Sequence, residues 1–356
     1  MSYHHTIAPV VSVVMPTYNG ERFLRPAIES ILNQTLTDFE LIVIDDASTD
    51  STPRILAGFK DARLNLLTNN CNLGIAGATN KGLAVARGEY VALQDHDDVS
   101  LPHRFQTQVA FLAAHPDFAL VGSNCILIDG EGTRDGIQVQ PEDDLVLRWE
   151  LLVRNPFHHT SVMARLSAIR ETGGYSADPS FHFAEDYDLI SRLALHHRVA
   201  NIKEPLVLWR RHSTTATWRN QSQQTIAAET ISFRNMSVMI SPGLEQTYSF
   251  DGLRAFLLTP AGKVPDLPAR QVAGGVQLIR ELRRRFYRVY GFTGPAVGKH
   301  RRQTDWIWAK HAAALAVRAP WDWRSRMQIL FLGLQCLVSA FFVPFWGPDS
   351  KAEERR

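Results

Sequence analysis

Asp95, Asp97 and Asp98 crowd into four consecutive positions directly after the apolar run Tyr90–Leu93. Carboxylates this close repel one another unless a cation or hydrogen-bond donors compensate. Hard divalent cations such as Mg²⁺ and Mn²⁺ take oxygen ligands, often one or two carboxylates with substrate phosphates filling other positions. The cluster therefore matches a diphosphate-bearing ligand, with a cation on Asp97 and Asp98 neutralising a departing diphosphate. The same spacing also suits a solvated acidic turn capping a helix at Ser100 or Leu101. Its place at the end of a buried strand favours the metal reading.

Two more segments carry groups suited to a nucleotide. Pro16, Tyr18 and Asn19 follow the apolar run Val10–Met15, and Asp46 follows Phe39–Ile44. An aromatic ring at Tyr18 can stack on a flat base, with Asn19 fixing it by hydrogen bonds. The Asp46 carboxylate can accept from a base or ribose. Asn72, before Leu73-Gly74, offers a further polar contact. Each of these residues alone is equally a good turn former.

The elements that must position these groups alternate between two periodicities. Buried-strand runs at residues 10–15, 39–44, 64–67, 90–93 and 119–121 are interleaved with helical spacing over 21–33, 51–59, 75–86 and 101–114. This alternation predicts an α/β fold, a mostly parallel sheet with helices on both faces. Ligands of such sheets bind beyond the carboxyl ends of the strands, so one crevice can gather all three polar segments. Residues 129–140 are polar and glycine-rich and read as a loop. Thr160–Met163, Ala184–His196 and Val199–Ile202 continue the domain, and after Trp218 the pattern becomes helical.

A formal net charge of +2 gives no field for nucleic acid. Cys71, Cys125 and Cys336 form no CxxC pair, which points to a reducing compartment without structural zinc. The N-terminus lacks a secretory apolar core, so the expected location is the cytosol.

Together these segments resemble the inverting glycosyltransferases of family 2, which have the GT-A fold. The resemblance rests on VSVVMPTYNGERFLRPAIESILNQTLTDFELIVIDDASTDST, NNCNLGIAGATNKGLAVARGEYVALQDHDDVSLPHRFQTQ, NPFHHTSVMARLSAIRETGGY, FAEDYDLISRLA and LWRRHSTTAT, in the family's usual order over residues 8–217. It implies a Rossmann-like catalytic domain at 1–217 and a helical C-terminal region at 218–356. It also implies that Pro16, Tyr18 and Asp46 contact the nucleotide, that Asp95 binds ribose, and that Asp97 and Asp98 bind Mn²⁺ or Mg²⁺. By the same resemblance Asp186 is the catalytic base, with Glu185 as its orienting neighbour, and His212 lies near the diphosphate. Inversion needs a base across the sugar from the metal, and a helix start after Phe183-Ala184 can hold one rigidly; an acid there also suits an ordinary helix N-terminus.

Two departures from the family pattern matter. Ala78-Thr79-Asn80 stands where many members carry an Arg, leaving Arg211 to supply a phosphate-side charge. The QxxRW signature of processive synthases is absent, which implies addition of a single sugar. His158 and His159 are secondary candidates for the acceptor side, and Gly173-Gly174-Tyr175 reads as a backbone turn near the sugar.

The expected partners are a nucleotide-sugar donor, probed first as a UDP-sugar, and a glycan or lipid-linked acceptor. Met327–Pro348 is an uncharged apolar run beside Arg324, Arg326 and Lys351. It reads as a peripheral contact with the inner face of the membrane, as a full span weakened by Gln328, Gly333, Gln335 and Pro344, or as a helix packed on the catalytic domain or in a dimer interface. Two rival functions are a nucleotidyltransferase, which would carry a glycine- and lysine-rich loop after the first strand, and a non-catalytic nucleotide-sugar-binding protein, which has no need of the acids.

Overall fold

The computed structural model describes residues 8–212, 220–239, 268–318, 322–325 and 327–332. The chain forms two compact units, Met1–Ile231 and Ser232–Arg356. The expected boundary at residue 217 lies outside the described residues.

The first unit is built on a nine-stranded sheet. Its leading half alternates β1 (Val11–Thr17), α1 (Leu24–Leu32), β2 (Phe39–Asp45), α2 (Thr52–Ala57), β3 (Leu64–Thr68), α3 (Gly74–Val85) and β4 (Tyr90–Leu93). These four strands pair in parallel in the order β3-β2-β1-β4. β1 and β2 are apolar without alternation because both faces of the sheet are covered. Val11, Val13, Met15, Leu41 and Val43 pack under α1 and α4 (Arg104–Ala114). Val14, Ile42 and Ile44 face the other way, among residues of α3, α6 (Leu166–Thr172) and α7 (Glu185–His196).

Beyond β4 the sheet is mixed, a departure from the largely parallel expectation. β8 (Met163–Arg165) pairs antiparallel with β4 and with β6 (Phe118–Ile128). β9 (Arg198–Arg210) runs parallel to β6, and the two-residue β5 (Val99–Ser100) lies antiparallel on β9. The segment expected as a loop at 129–140 instead contains β7 (Arg134–Gln138), antiparallel to β6. A largely exposed edge strand needs no buried apolar face, so its sequence gave no strand pattern. A short helix, α5 (Asp144–Glu150), follows β7 and is capped by the Asp143 carboxylate.

Helices α8 (Gln221–Met239), α9 (Ala269–Val289) and α10 (Gly294–Arg318) fill the described part of the later chain, as its periodicity predicts. Among the described residues no helix is long and apolar enough to cross a membrane. Residues 333–348 of the apolar run lie outside the described residues.

Candidate active site

The carboxyl ends of β1, β2 and β4 and the start of α7 supply the polar groups of one site. At one end of it, the loops after β1 and β2 are zipped together. Asn19 N donates to Ser48 Oγ at 2.9 Å, and Asn19 Oδ1 accepts from Thr49 N at 2.8 Å. Glu21 N donates to Asp50 Oδ2 at 3.1 Å, and Glu21 Oε2 accepts from Ser51 N at 2.9 Å. Asn19 thus serves as a clamp, in a left-handed conformation (φ 50°) that Asn tolerates. The clamp presents Tyr18, 45% exposed and able to stack on a ring, next to Pro16 at the end of β1. A side chain at Gly20 would approach Thr17 Oγ1 to 2.6 Å, so the loop closes over that hydroxyl only with glycine.

Asp46 is buried, and its carboxylate accepts from Asn69 Nδ2 at 2.7 Å, from Leu73 N at 2.9 Å and from Gly74 N at 2.9 Å. Asn72 Oδ1 accepts from Gly74 N at 3.0 Å. Both residues therefore shape the entry to α3. Lys81 of α3 extends the chain by donating to Asn69 Oδ1.

The acidic cluster occupies the turn between β4 and β5. Its three carboxylates have different surroundings. Asp98 is buried; Oδ1 accepts from Arg210 N at 2.7 Å, while Oδ2 has no partner within hydrogen-bond distance among the described residues, the nearby Thr160 hydroxyl acting on the carboxyl only weakly. Burial, with the Asp97 and Asp95 charges beside it, pushes its carboxyl well above the ordinary carboxylate range. Asp97 Oδ2 lies 3.0 Å from His212 Nε2. Burial works against the Asp97 carboxylate, but the His212 hydrogen bond and the His96 and His212 charges hold it below the ordinary range. Arg210, at the end of β9, donates from Nε to Asp97 O at 2.9 Å and lies over the Phe23 ring, which also packs on His212. Arg211 pairs with Asp135 on β7.

A buried carboxylate oxygen with no donor, beside a second ionised carboxylate, fits a hard divalent cation. Among the described residues no group of three or more His, Cys, Asp or Glu side chains forms a complete cation cage. Asp97 and Asp98 would therefore need oxygens from the ligand itself.

Asp95 faces the other way. Its Oδ1 lies 2.9 Å from His159 Nδ1, and His159 Nε2 lies 2.8 Å from the Tyr175 hydroxyl. Tyr175 is held at the backbone. Asn80 Nδ2 donates to Tyr175 O at 2.8 Å, and Tyr175 N donates to Asn80 Oδ1 at 2.9 Å. Arg192 of α7, paired with Asp188, donates to Gly174 O at 2.7 Å. Gly174 sits at φ 71°, and a Cβ there would meet Asn80 Oδ1 at 2.7 Å, so the approach to α3 requires glycine.

Asp186 lies in the first turn of α7. Its Oδ2 accepts from Asn155 Nδ2 at 2.8 Å and its Oδ1 from Tyr187 N at 2.8 Å. Burial raises its pKa; the His159 charge and the Tyr187 N–H pull it back, and Asp95 adds to the rise. Burial likewise raises Glu185, which is 6% exposed. Burial alone would lower His159, but Asp95, Asp186 and Glu185 override it and raise the ring to about 9. The two histidines divide cleanly. His158 packs on Trp209 within the protein body and is pulled down to about 4 by burial and Arg154, so it stays neutral.

The sequence reading thus has Asp95, Asp97, Asp98 and His212 brought together, with Asp186 coupled electrostatically to Asp95 and His159. It missed Asn155, which holds Asp186, and Tyr175, which reaches His159. Their only signal lay in the NPFHH and GGY segments.

The family model described as Glycosyl transferase family 2 matches residues 12–169. The chain is 40% identical over 186 residues to the putative glycosyltransferase EpsE of Bacillus subtilis, covering 51% of this chain and 65% of that protein. It is 30% identical over 201 residues to the amylovoran biosynthesis glycosyltransferase AmsE of Erwinia amylovora, covering 55% of this chain and 74% of that one. The match therefore spans just under two thirds of EpsE and only about half of this chain. Among solved structures, S. aureus TarS 1–349 in complex with UDP-GlcNAc superposes with a TM-score of 0.53 at 16% identity, covering 94% of this chain and 93% of that chain. The fold is of the same type.

Proposed function

The chain belongs to glycosyl transferase family 2, and from that membership we propose that it moves one sugar from a nucleotide-sugar donor to an acceptor hydroxyl with inversion. The observation that carries the reading is a pair of acids in opposite circumstances. Asp98 keeps a buried oxygen without a donor, suited to a cation, whereas Asp186 is fixed by Asn155 and Tyr187 N on a separate element, suited to a base. Every residue invoked lies at or before His212, which assigns catalysis to the first unit.

Tyr18 stacks on the base, and Pro16 and the Asp46-anchored loop at Leu73-Gly74 border it. Asp95 accepts from the ribose. Asp97 and Asp98 would hold Mn²⁺ or Mg²⁺, which would supply positive charge to the departing diphosphate. His212 buttresses Asp97 and stands beside that diphosphate. Asp186 takes the proton of the acceptor hydroxyl as its oxygen bonds to the anomeric carbon and the bond from that carbon to the diphosphate oxygen breaks. The pair of electrons leaves with the nucleoside diphosphate.

The TarS structure of the same fold was solved with UDP-GlcNAc, which makes a UDP-sugar the first donor to test. AmsE is named for polysaccharide biosynthesis, which supports a glycan acceptor, free or lipid-linked. A peripheral contact of the 327–348 run with the membrane would bring such an acceptor to the site. The test is a screen of UDP-, GDP- and dTDP-sugars that reads released nucleoside diphosphate and product. Transfer with inversion supports the proposal; conversion of the nucleotide-sugar to nucleoside triphosphate and sugar 1-phosphate on adding pyrophosphate would favour a nucleotidyltransferase, and binding without turnover a non-catalytic protein.

A further inference from the structure

One half-buried side chain in the site has no part in the reaction above, yet it touches both walls. His159 Nδ1 contacts Asp95 Oδ1 at 2.9 Å and Nε2 contacts the Tyr175 hydroxyl at 2.8 Å. Asp95 stands on the β4–β5 turn of the donor wall. Tyr175 lies ahead of α7 on the base wall, clamped by Asn80 and following Gly174, whose carbonyl Arg192 of α7 holds. A neutral imidazole has one N–H, whereas the imidazolium donates from both nitrogens. The groups that act on the ring electrostatically are Asp95 from the β4–β5 turn and Asp186 and Glu185 from α7, all acidic. Tyr175 remains a neutral phenol, because burial and the same three acids push it well above its usual value. The bridge is kept either by the imidazolium, which donates from both nitrogens, or by the neutral ring, which donates from Nδ1 to Asp95 and accepts the Tyr175 O–H at Nε2; the three acids favour the first.

Resting on the assignment of Asp186 as base, we propose that His159 is a positioning residue: it ties Asp95 of the donor wall to Tyr175 of the base wall and so keeps the first turn of α7, with Asp186, in register with the donor. The groups acting on Asp186 itself are His159, Asp95 and the Tyr187 N–H, with Asn155 as hydrogen-bond donor. His159 is the only side-chain cation in that set. The neighbouring His158, held neutral against Trp209, cannot substitute.

Two amide replacements separate the halves of the bridge. His159→Asn places an amide near the Nδ1 position and drops the Tyr175 contact; His159→Gln reaches the Nε2 position and drops the Asp95 contact. Tyr175→Phe removes only the hydroxyl. Steady-state turnover of each is measured against pH with the full-length protein, its best donor and Mn²⁺, beside Asp186→Asn. Both His159 variants should lower kcat roughly 10–100-fold, the range for outer residues that orient a reactive group, with a smaller change in donor KM. Their acid limb should move upward by about one pH unit or more, since the cation that opposes the burial of Asp186 is gone. Tyr175→Phe should lower kcat with a smaller shift of the limb. A parental kcat and acid limb in His159→Asn and His159→Gln overturns the proposal. Should those two fail to fold, unchanged kcat in Tyr175→Phe overturns it instead. Parental turnover in Asp186→Asn would remove the base itself, a failure distinct from intact His159 variants beside a dead Asp186→Asn.

Discussion

His212 Nε2 lies 3.0 Å from Asp97 Oδ2, joining the segment after β9 to the acidic turn after β4 across more than a hundred residues of sequence. The imidazole lies against Phe23, whose ring Arg210 also covers, so its orientation is fixed from a third element. Replacing it by Ala frees Asp97 to rotate and removes the hydrogen bond that helps hold its carboxyl ionised. Affinity for UDP in the presence of Mn²⁺ should fall roughly 10–100-fold, with the loss greater at mildly acidic pH. Calorimetry at two pH values checks both parts.

Tyr18 and Asp46 should fail differently. Tyr18 is exposed and supports little of the fold, so Tyr18→Ala should cost about 1–3 kcal/mol of nucleotide affinity through lost stacking and leave the melting temperature unchanged. Asp46→Ala strips the acceptor from Leu73 N, Gly74 N and Asn69 Nδ2. Unsatisfied buried donors cost about 1–3 kcal/mol each, so this variant should lose affinity and melt earlier. Equal melting temperatures in the two would contradict the anchoring role.

The raised Asp98 pKa makes a signed prediction for stability. The folded protein holds this proton above the pH at which the unfolded chain releases it. Without a cation, stability from this group is therefore greatest at low pH and declines as pH rises through the window between the unfolded and folded values. Asp98→Asn keeps the Arg210 contact and removes the charge. In chelator at neutral pH it should melt a few degrees higher than the parent, at about 2–4 °C per kcal/mol for a domain this size. Mn²⁺ should raise the melting temperature of the parent and not that of the variant. Thermal melts across pH with and without Mn²⁺ read all three effects.

The sequence made much of this legible, for physical reasons. β1, β2 and β4 are buried on both faces, so they read as unbroken apolar runs, and the polar residues that end them stood out as candidates. The mixed half of the sheet was hidden. β5 has two residues and β8 three, too few to show a period, and β7 is an exposed edge. The hydrogen-bond partners were hidden for a different reason. Asn155 and Asp186, or Asn80 and Tyr175, meet only through the folded topology. Arg104 is a further case. It is fully buried and binds Gln94, Ser100, Leu93 O and Val162 O beneath the acidic turn, yet in sequence it is one more charge at a helix start. Asn19 and Asn72, read as nucleotide contacts, also engage in loop and helix-entry hydrogen bonds, which the sequence did not show.

The division of labour between the two walls is tested most directly by Asp186→Asn. The amide keeps the shape and the first-turn position but cannot accept the acceptor's proton. Turnover should fall by about 10²–10⁴-fold, the usual worth of a general base. Donor affinity, which we assign to Tyr18, Asp95 and the Asp97–Asp98 pair, should stay near the parental value when measured by calorimetry on the same preparation. A folded variant that binds donor and transfers sugar at the parental rate, or one that loses donor affinity instead of turnover, would contradict the account.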